Sequence, residues 1–407
     1  MTGWWREADI TARRALVAAW AGWTLDSLDV MLYALVLPPM MAALHLSPAT
    51  AGWIQSLSLV ASAIGGVVLG RLADRAGRTR ALITSVTLYA AFTAACGFAT
   101  GAVSLAVFRI GLGVGLGGEW ASGAALISET WPDRHRGRAL AFMQSGWPVG
   151  YALAAAVSWF VQHVLGLDWR AVFFAGVLPA LLTLWVRWRV PEPERWRQAR
   201  AAAERPSVRR ALGGPMLVTT AVLAAMNGCV LFAYWGLNTF LPSFLAAAPS
   251  AGGAGLGREV MSGFVAANQA GTWCGFMTFG MVSDRLGRRR ACVGYLLMAA
   301  ALLWVYTSTR QPLLLLALGP LASFFTTGYF SSFGEVTGEL YPTAIRATAQ
   351  GLTYNLGRVM SALAPWAVGA AAQAGGYGLA LDVAASGFAI AAMLWAVLPQ
   401  TTGSIVH

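Results

Sequence analysis

Six charged side chains stand out within long apolar stretches. Asp26 and Asp29 lie within residues 15–41, Arg109 and Glu119 within 103–129, Glu335 within 312–339 and Arg358 within 348–372. A charge at the middle of a membrane helix costs about 2.5–3.5 kcal/mol on insertion scales, so such groups must pair, line water, or both. Asp26 and Asp29 are three residues apart and share one helix face. At about 1.5 Å per residue they lie roughly 16 and 21 Å from the start of their stretch, near the middle of a bilayer. Two carboxylates this close repel, which favours a proton on one of them. A carboxyl that takes up and releases a proton in a low-dielectric cavity is what a proton-coupled carrier needs, and Asp29 is the deeper of the two. The alternative is a carboxylate that hydrogen-bonds backbone or an arginine and only locks helix packing.

Arg109 is placed to reach these carboxylates and to hold one deprotonated until substrate or proton competes for it; a permanent structural ion pair is the alternative. Arg358 lies some ten residues into its stretch, beside Tyr354 and Asn355. A guanidinium there can grip a substrate carboxylate through two parallel hydrogen bonds, or pair with Glu335 instead. Glu119 is a second candidate protonation site or an ion-pair partner. Tyr33, Gln55, Gln144, Trp147, Trp235, Asn238 and Gln269 supply further candidate cavity groups, although each is also an ordinary packing or interfacial residue. Among these, Tyr33, Gln144 and Asn238 join Arg358, Asn355 and Tyr354 as the expected substrate contacts.

The elements that must position these groups are membrane helices. The chain is 57% hydrophobic and 11% charged, far below the roughly 25% charged of soluble domains. Its mean hydropathy is +0.60. Twelve apolar runs are long enough to span a bilayer: 15–41, 50–70, 82–100, 103–129, 139–163, 170–189, 215–245, 259–281, 291–308, 312–339, 348–372 and 377–398. The expected organisation is an N-terminal bundle over 1–190, a polar Arg-rich linker over 191–214 and a C-terminal bundle over 215–407. The glycines at 111, 113, 115, 117 and 118 allow close helix approach. Their spacing superficially resembles a dinucleotide loop, but no strand precedes it.

The net charge of +11 does not point to nucleic acid. All 28 cationic residues are Arg, and 23 of them fall on one set of alternate loops and the segments flanking the helices. By the positive-inside rule both termini and the central linker are cytoplasmic. The first apolar run is too long for a cleaved signal segment. The four cysteines sit in or beside apolar runs without a CxxC or Cys/His cluster, so they are expected to be small core residues, and no metal or cofactor is expected.

The two halves repeat. Gly70–Ala81 reads GRLADRAGRTRA and Gly280–Ala291 reads GMVSDRLGRRRA, 210 positions later. Glu129 and Glu339, Pro132 and Pro342, and Arg136 and Arg346 keep the same offset. Three segments in one register mark an internal duplication, the architecture of two-halved transporters. The charges at the helix ends, Asp74, Arg75, Arg78, Glu129 and Arg138 in one half and Asp284, Arg285, Arg288, Glu339 and Arg346 in the other, are expected to form a cytoplasmic gate of ion pairs.

The paired signature resembles that of the major facilitator superfamily. RIGLGVGLGGEWASGAALISETWP from Arg109 looks like the fourth helix of its proton-linked members. RHRGRA from Arg134 and ELYPTAIRATAQG from Glu339 match the family's helix-end pattern. GWTLDSLDVMLYALVLP, GGEW, YWGLNTFLPSFL and YNLGR resemble the organic-acid symporters within it, a group that carries aromatic acids and sialate. Pro191-Glu-Pro-Glu-Arg-Trp departs from the segment typical of sugar carriers. Gly146-Trp-Pro-Val-Gly150 departs from the element typical of drug antiporters.

The resemblance implies an all-α protein of twelve transmembrane helices in two pseudo-symmetric six-helix bundles, monomeric and resident in a bacterial cytoplasmic membrane. It implies proton-coupled import of a small organic anion by alternating access, with no covalent chemistry, no cofactor and no nucleic-acid partner. A sugar or drug carrier is the alternative within transport. A non-transporting membrane sensor is the alternative from another class; it would be expected to carry a signalling domain or a long cytoplasmic tail.

Overall fold

The computed structural model describes residues 5, 7–177, 185, 215–341 and 346–397; inside its helices the side chains of Asp74, Arg78, Glu119, Glu129, Asp284, Glu335, Glu339 and Arg346 lie outside the description. The linker expected over 191–214 also lies outside the described residues. The chain divides into two compact units, one of Met1–Leu46 with Leu57–Ala203, the other of Ser47–Ser56 with Glu204–His407.

In the first unit the helices are α1 (Ile10–Leu44), α2 (Pro48–Ala76, from Leu57 on), α3 (Arg78–Cys96), α4 (Ala102–Thr130), α5 (Asp133–Gln144), α6 (Gly146–Trp159) and the short α7 (Trp169–Phe174). Asp9 starts α1 by accepting a hydrogen bond from the Ala12 amide at 2.6 Å, satisfying one of the helix's orphan donors. Asp168 caps α7 in the same way, accepting from the Arg170 amide.

In the second unit the helices are α8 (Pro215–Ala246), α9 (Gly257–Leu286), α10 (Arg288–Ser308), α11 (Pro312–Leu340), α12 (Arg346–Ser361) and α13 (Ala364–Val397). The backbone of α13 leaves the helical region at Gly375 and Gly376, so this element holds the end of the eleventh expected span and the described residues of the twelfth.

Among the described residues five helical segments are long and apolar enough to cross a membrane: Ile10–Leu44, Pro48–Ala73, Leu217–Ala246, Arg288–Ser308 and Leu352–Ala396. Each of the twelve expected spans is helical over most of its described residues, the third ending early at Cys96, with two internal interruptions that the apolar pattern did not show. The span expected over 139–163 breaks at Ser145, between α5 and α6, and that over 348–372 breaks at 362–363. Pro148 and Pro365 follow these breaks by two or three residues. A proline there has no N–H to extend the preceding helix but fits the first turn of a new one.

The duplication is visible in backbone contacts. A Cβ placed on Gly65 of α2 would overlap the Val114 carbonyl oxygen of α4, and one placed on Gly275 of α9 would overlap the Phe324 carbonyl oxygen of α11. Both partners stand 210 positions apart, so the same helix crossing is built in each unit. The signature loops repeat as well: Gly77 and Gly287 hold φ 118° and 83°, a conformation that costs an L side chain strain. In the first unit the α4 glycines split between two neighbours, Gly113 and Gly117 against α2, Gly111 and Gly115 against α3.

Gly117 tests this crossing. A side chain there would collide with the Ser62 carbonyl and the Gly66 amide, which are backbone atoms and cannot swing away. Gly117→Val is expected to cost about 3 kcal/mol or more, at the upper end of overpacking. A melting temperature in detergent lowered by several degrees would register it; an unchanged one would show that α2 and α4 are not in this contact.

Candidate functional site

The α1 residues Asp26, Asp29 and Tyr33 follow at i, i+3 and i+7, which places them along one side of the helix. Asp29 and Arg109 are fully buried and Asp26 is 3% exposed. Arg109, on α4, sets its guanidinium carbon 4.5 Å from the centre of the Tyr33 ring, a cation–π contact that compensates part of the desolvation of a buried cation. Asp29 interacts electrostatically with both Asp26 and Arg109. Among the described residues the first unit thus encloses two carboxylates and one guanidinium, a group with a formal charge of minus one when both acids are ionised. One proton discharges it.

The site is closed from the α3 side by Thr93 and Cys96 and from the segment after α7 by Gly176. Cys96 is fully buried and interacts with Asp29 and Arg109. Nothing in the sequence pattern had marked Thr93, Cys96 or Gly176, because small and weakly polar residues in an apolar helix look like packing.

The remaining α1 contacts fix its rotation. Ser27 donates to the Trp147 carbonyl at 2.7 Å, and the Trp23 and Trp147 rings lie 4.8 Å apart. A Cβ on Gly150 would overlap the Thr24 carbonyl. Trp147 is therefore a packing residue between α1 and α6. Gln144, at the end of α5, has its Oε1 buried with no hydrogen-bond partner among the described residues.

In the second unit, Tyr354, Asn355 and Arg358 stand together on α12. Tyr354 and Arg358 are half-buried and interact electrostatically, while Asn355 is exposed. Asn227 of α8 donates to the Tyr354 carbonyl at 3.3 Å and so docks this turn. Asn238 is buried and donates back along α8 to the Tyr234 carbonyl at 2.9 Å. Gln55, Trp235 and Gln269 are buried. One embedded acid was overlooked in the sequence: Asp382 on α13 accepts from the Thr307 hydroxyl at 2.6 Å. Its position inside the apolar run 377–398 was the available signal.

Of the residues expected at the cytoplasmic gate, Arg75, Arg138 and Arg285 are exposed and Arg288 is half-buried. Asp74, Arg78, Glu129, Asp284, Glu339 and Arg346 have side chains outside the described set, as do Glu119 and Glu335. Beside this region the structure shows a contact that sequence reasoning missed. Glu7 meets His135 at 3.0 Å, and Trp131 donates to the Ala12 carbonyl at 2.8 Å, so the segment before α1 and the first turn of α1 are tied to the start of α5 and the turn before it.

The comparisons agree with this architecture. The Major Facilitator Superfamily model matches residues 19–249. A probable 4-methylmuconolactone transporter of Cupriavidus pinatubonensis is 34% identical over 375 residues, covering 89% of this chain and 84% of its own. The sialic acid transporter NanX of Escherichia coli is 30% identical, with 88% and 86% covered. A cis,cis-muconate transport protein of Acinetobacter baylyi is 28% identical, with 94% and 93% covered. Among solved structures, a D-xylose-proton symporter superposes with a TM-score of 0.77 at 18% identity over 97% of this chain and 100% of its own, a likeness of fold alone. These relatives are transporters rather than enzymes. An all-helical membrane chain with a duplicated signature, a family match over more than half its length and relatives aligned over nearly all of it belongs to the major facilitator superfamily and is a transporter of small molecules.

Proposed function

We propose that the chain imports a small organic anion together with protons by alternating access. The observation that carries this reading is the buried group of Asp26, Asp29 and Arg109, whose formal charge one proton cancels. A charge that can be discharged inside a low-dielectric protein lets the carrier reorient at low cost only when loaded. Arg109 holds Asp29 ionised until substrate and proton arrive, and Glu119 is a second protonation candidate. Arg358, with Tyr354 and Asn355, is the substrate-carboxylate anchor, and Tyr33, Gln144 and Asn238 are further contacts. An acidic cargo is supported by the relatives named for sialic acid and muconate.

The remaining assignments follow from the same reading. The paired signature charges, Asp74, Arg75, Arg78, Glu129 and Arg138 with Asp284, Arg285, Arg288, Glu339 and Arg346, form a cytoplasmic gate. The protein works as a monomer in the bacterial cytoplasmic membrane, with both termini inside. The division into bundles over 1–190 and 215–407 joined by 191–214 belongs to this proposal.

The test is uptake of a panel of labelled carboxylic acids and neutral sugars into proteoliposomes under an imposed inward proton gradient. Acid uptake that rises with the gradient is expected, with Arg358→Ala lowering apparent affinity at least tenfold, the worth of a lost charge-assisted pair. Uptake of sugars alone, or acid uptake indifferent to Arg358→Ala, would remove the anion reading.

A further inference from the structure

A buried carboxyl that changes protonation state must have a hydrogen-bond partner in both states, or one state is left with an unpaired polar group in low dielectric. Backbone amides only donate and carbonyls only accept. Of the neutral side chains, a hydroxyl serves both forms with the same atom: it donates to the carboxylate and accepts from the carboxylic acid by rotating its own hydrogen.

Thr93 is that hydroxyl. It lies on α3, fully buried, and interacts with the Asp29 carboxylate. Both Asp29 oxygens and the Thr93 Oγ1 are buried without a closed hydrogen bond among the described residues, so each has capacity for the other. Their proximity is fixed by a third element. A Cβ built on Gly176 would lie 2.6 Å from Thr93 Cβ and 3.3 Å from Asp29 Oδ1, and would overlap Thr93 Cγ2. The threonine and the aspartate therefore flank one point, which stays open because residue 176 has no side chain. The backbone of Gly176 is not in the left-handed region, so space and not backbone strain is what the glycine provides. Among the described residues, the titratable and charged groups around Asp29 are Asp26 and Tyr33 from α1, Cys96 from α3 and Arg109 from α4; the segment after α7 presents Gly176. Arg109 serves only the ionised form, being a donor without acceptor capacity.

We propose that Thr93 is the positioning residue for proton coupling: its hydroxyl pairs with Asp29 in both the ionised and the protonated state, in a space that Gly176 keeps open. The inference rests on Asp29 being the coupling carboxyl. In the protonation step the Asp29 oxygen gains the proton, and the Thr93 hydrogen turns from donation to Asp29 towards another acceptor; no covalent bond to carbon changes.

The test compares Thr93→Val, Thr93→Ser and Gly176→Ala with the parent and with Asp29→Asn, using full-length protein in proteoliposomes. The readouts are the dependence of initial uptake on external pH and substrate exchange at equal pH. Thr93→Val keeps the shape of the side chain and loses the hydroxyl. It is expected to cut gradient-driven uptake about tenfold, to shift the half-activation pH and to leave exchange within about twofold. Thr93→Ser is expected to restore the parent pH profile. Gly176→Ala, which displaces Thr93, is expected to follow Thr93→Val. A Thr93→Val protein with the parent pH profile would overturn the proposal while leaving Asp29 in place. A Ser variant as defective as Val would also overturn it, since packing and not the hydroxyl would then matter. If Asp29→Asn itself remains coupled to the gradient, the reading of Asp29 fails first and the role of Thr93 with it.

Discussion

Asp29→Asn is expected to abolish accumulation against a gradient while leaving downhill movement of substrate intact. With one proton coupled to a monoanion, a difference of one pH unit supports a concentration ratio of about ten, since tenfold corresponds to about 1.4 kcal/mol. Asparagine retains the size and polarity of the side chain but can neither lose nor gain the proton, so the ratio should fall to about one. The substitution also removes the like charge beside Asp26, and the Tyr33 ring still faces Arg109, which limits the structural damage. Accumulation followed with a labelled acid at an external pH one unit below the internal measures the ratio directly. Accumulation equal to the parent's would remove Asp29 from the coupling step.

Arg109→Ala is expected to have the larger structural effect. The residue is fully buried, and its removal leaves two buried carboxylates facing one another without the guanidinium. Breaking a buried pair by removing one partner costs about 3–5 kcal/mol. The loss should be smaller in acid, because a protonated Asp29 no longer needs a counter-charge. It should also be smaller in the Arg109→Ala/Asp29→Asn double variant, as coupling between contacting residues requires. Melting temperatures of the two single variants and the double variant at two pH values test this. Strict additivity of the two substitutions would show that the residues do not act on each other. Arg109→Lys is expected to retain part of the stability but not the full contact that the guanidinium makes over Tyr33.

Much of this arrangement was legible in the chain because charge is conspicuous in apolar surroundings. Asp26, Asp29 and Arg109 stood out for that reason. The offset of 210 foretold that the units share a plan, down to the crossings of Gly65 with Val114 and of Gly275 with Phe324. What the sequence left open was rotation. The apolar pattern of a membrane helix is nearly uniform around its axis, so it does not say that Arg109 stacks on Tyr33 or that Asp29 meets Thr93. Those follow from the contacts of α1 with α6, where Ser27 bonds the Trp147 carbonyl and Gly150 accepts the Thr24 backbone. Gly176 was illegible for a different reason: its importance is the volume it leaves empty, which shows only when its neighbours are in place. The Asp382–Thr307 and Glu7–His135 pairs were illegible because the partners are distant in sequence: Thr307 lies 75 residues from Asp382, and His135 lies 128 from Glu7.

The central claim is that a proton crosses with the substrate, and the most direct measurement is proton movement itself. Proteoliposomes loaded with a pH-sensitive dye, at equal pH inside and out, would be given an outside pulse of the transported acid. Acidification of the lumen in step with substrate entry, absent in the Asp29→Asn protein, is the predicted result. Substrate entry with no change in internal pH in the parent protein would contradict it.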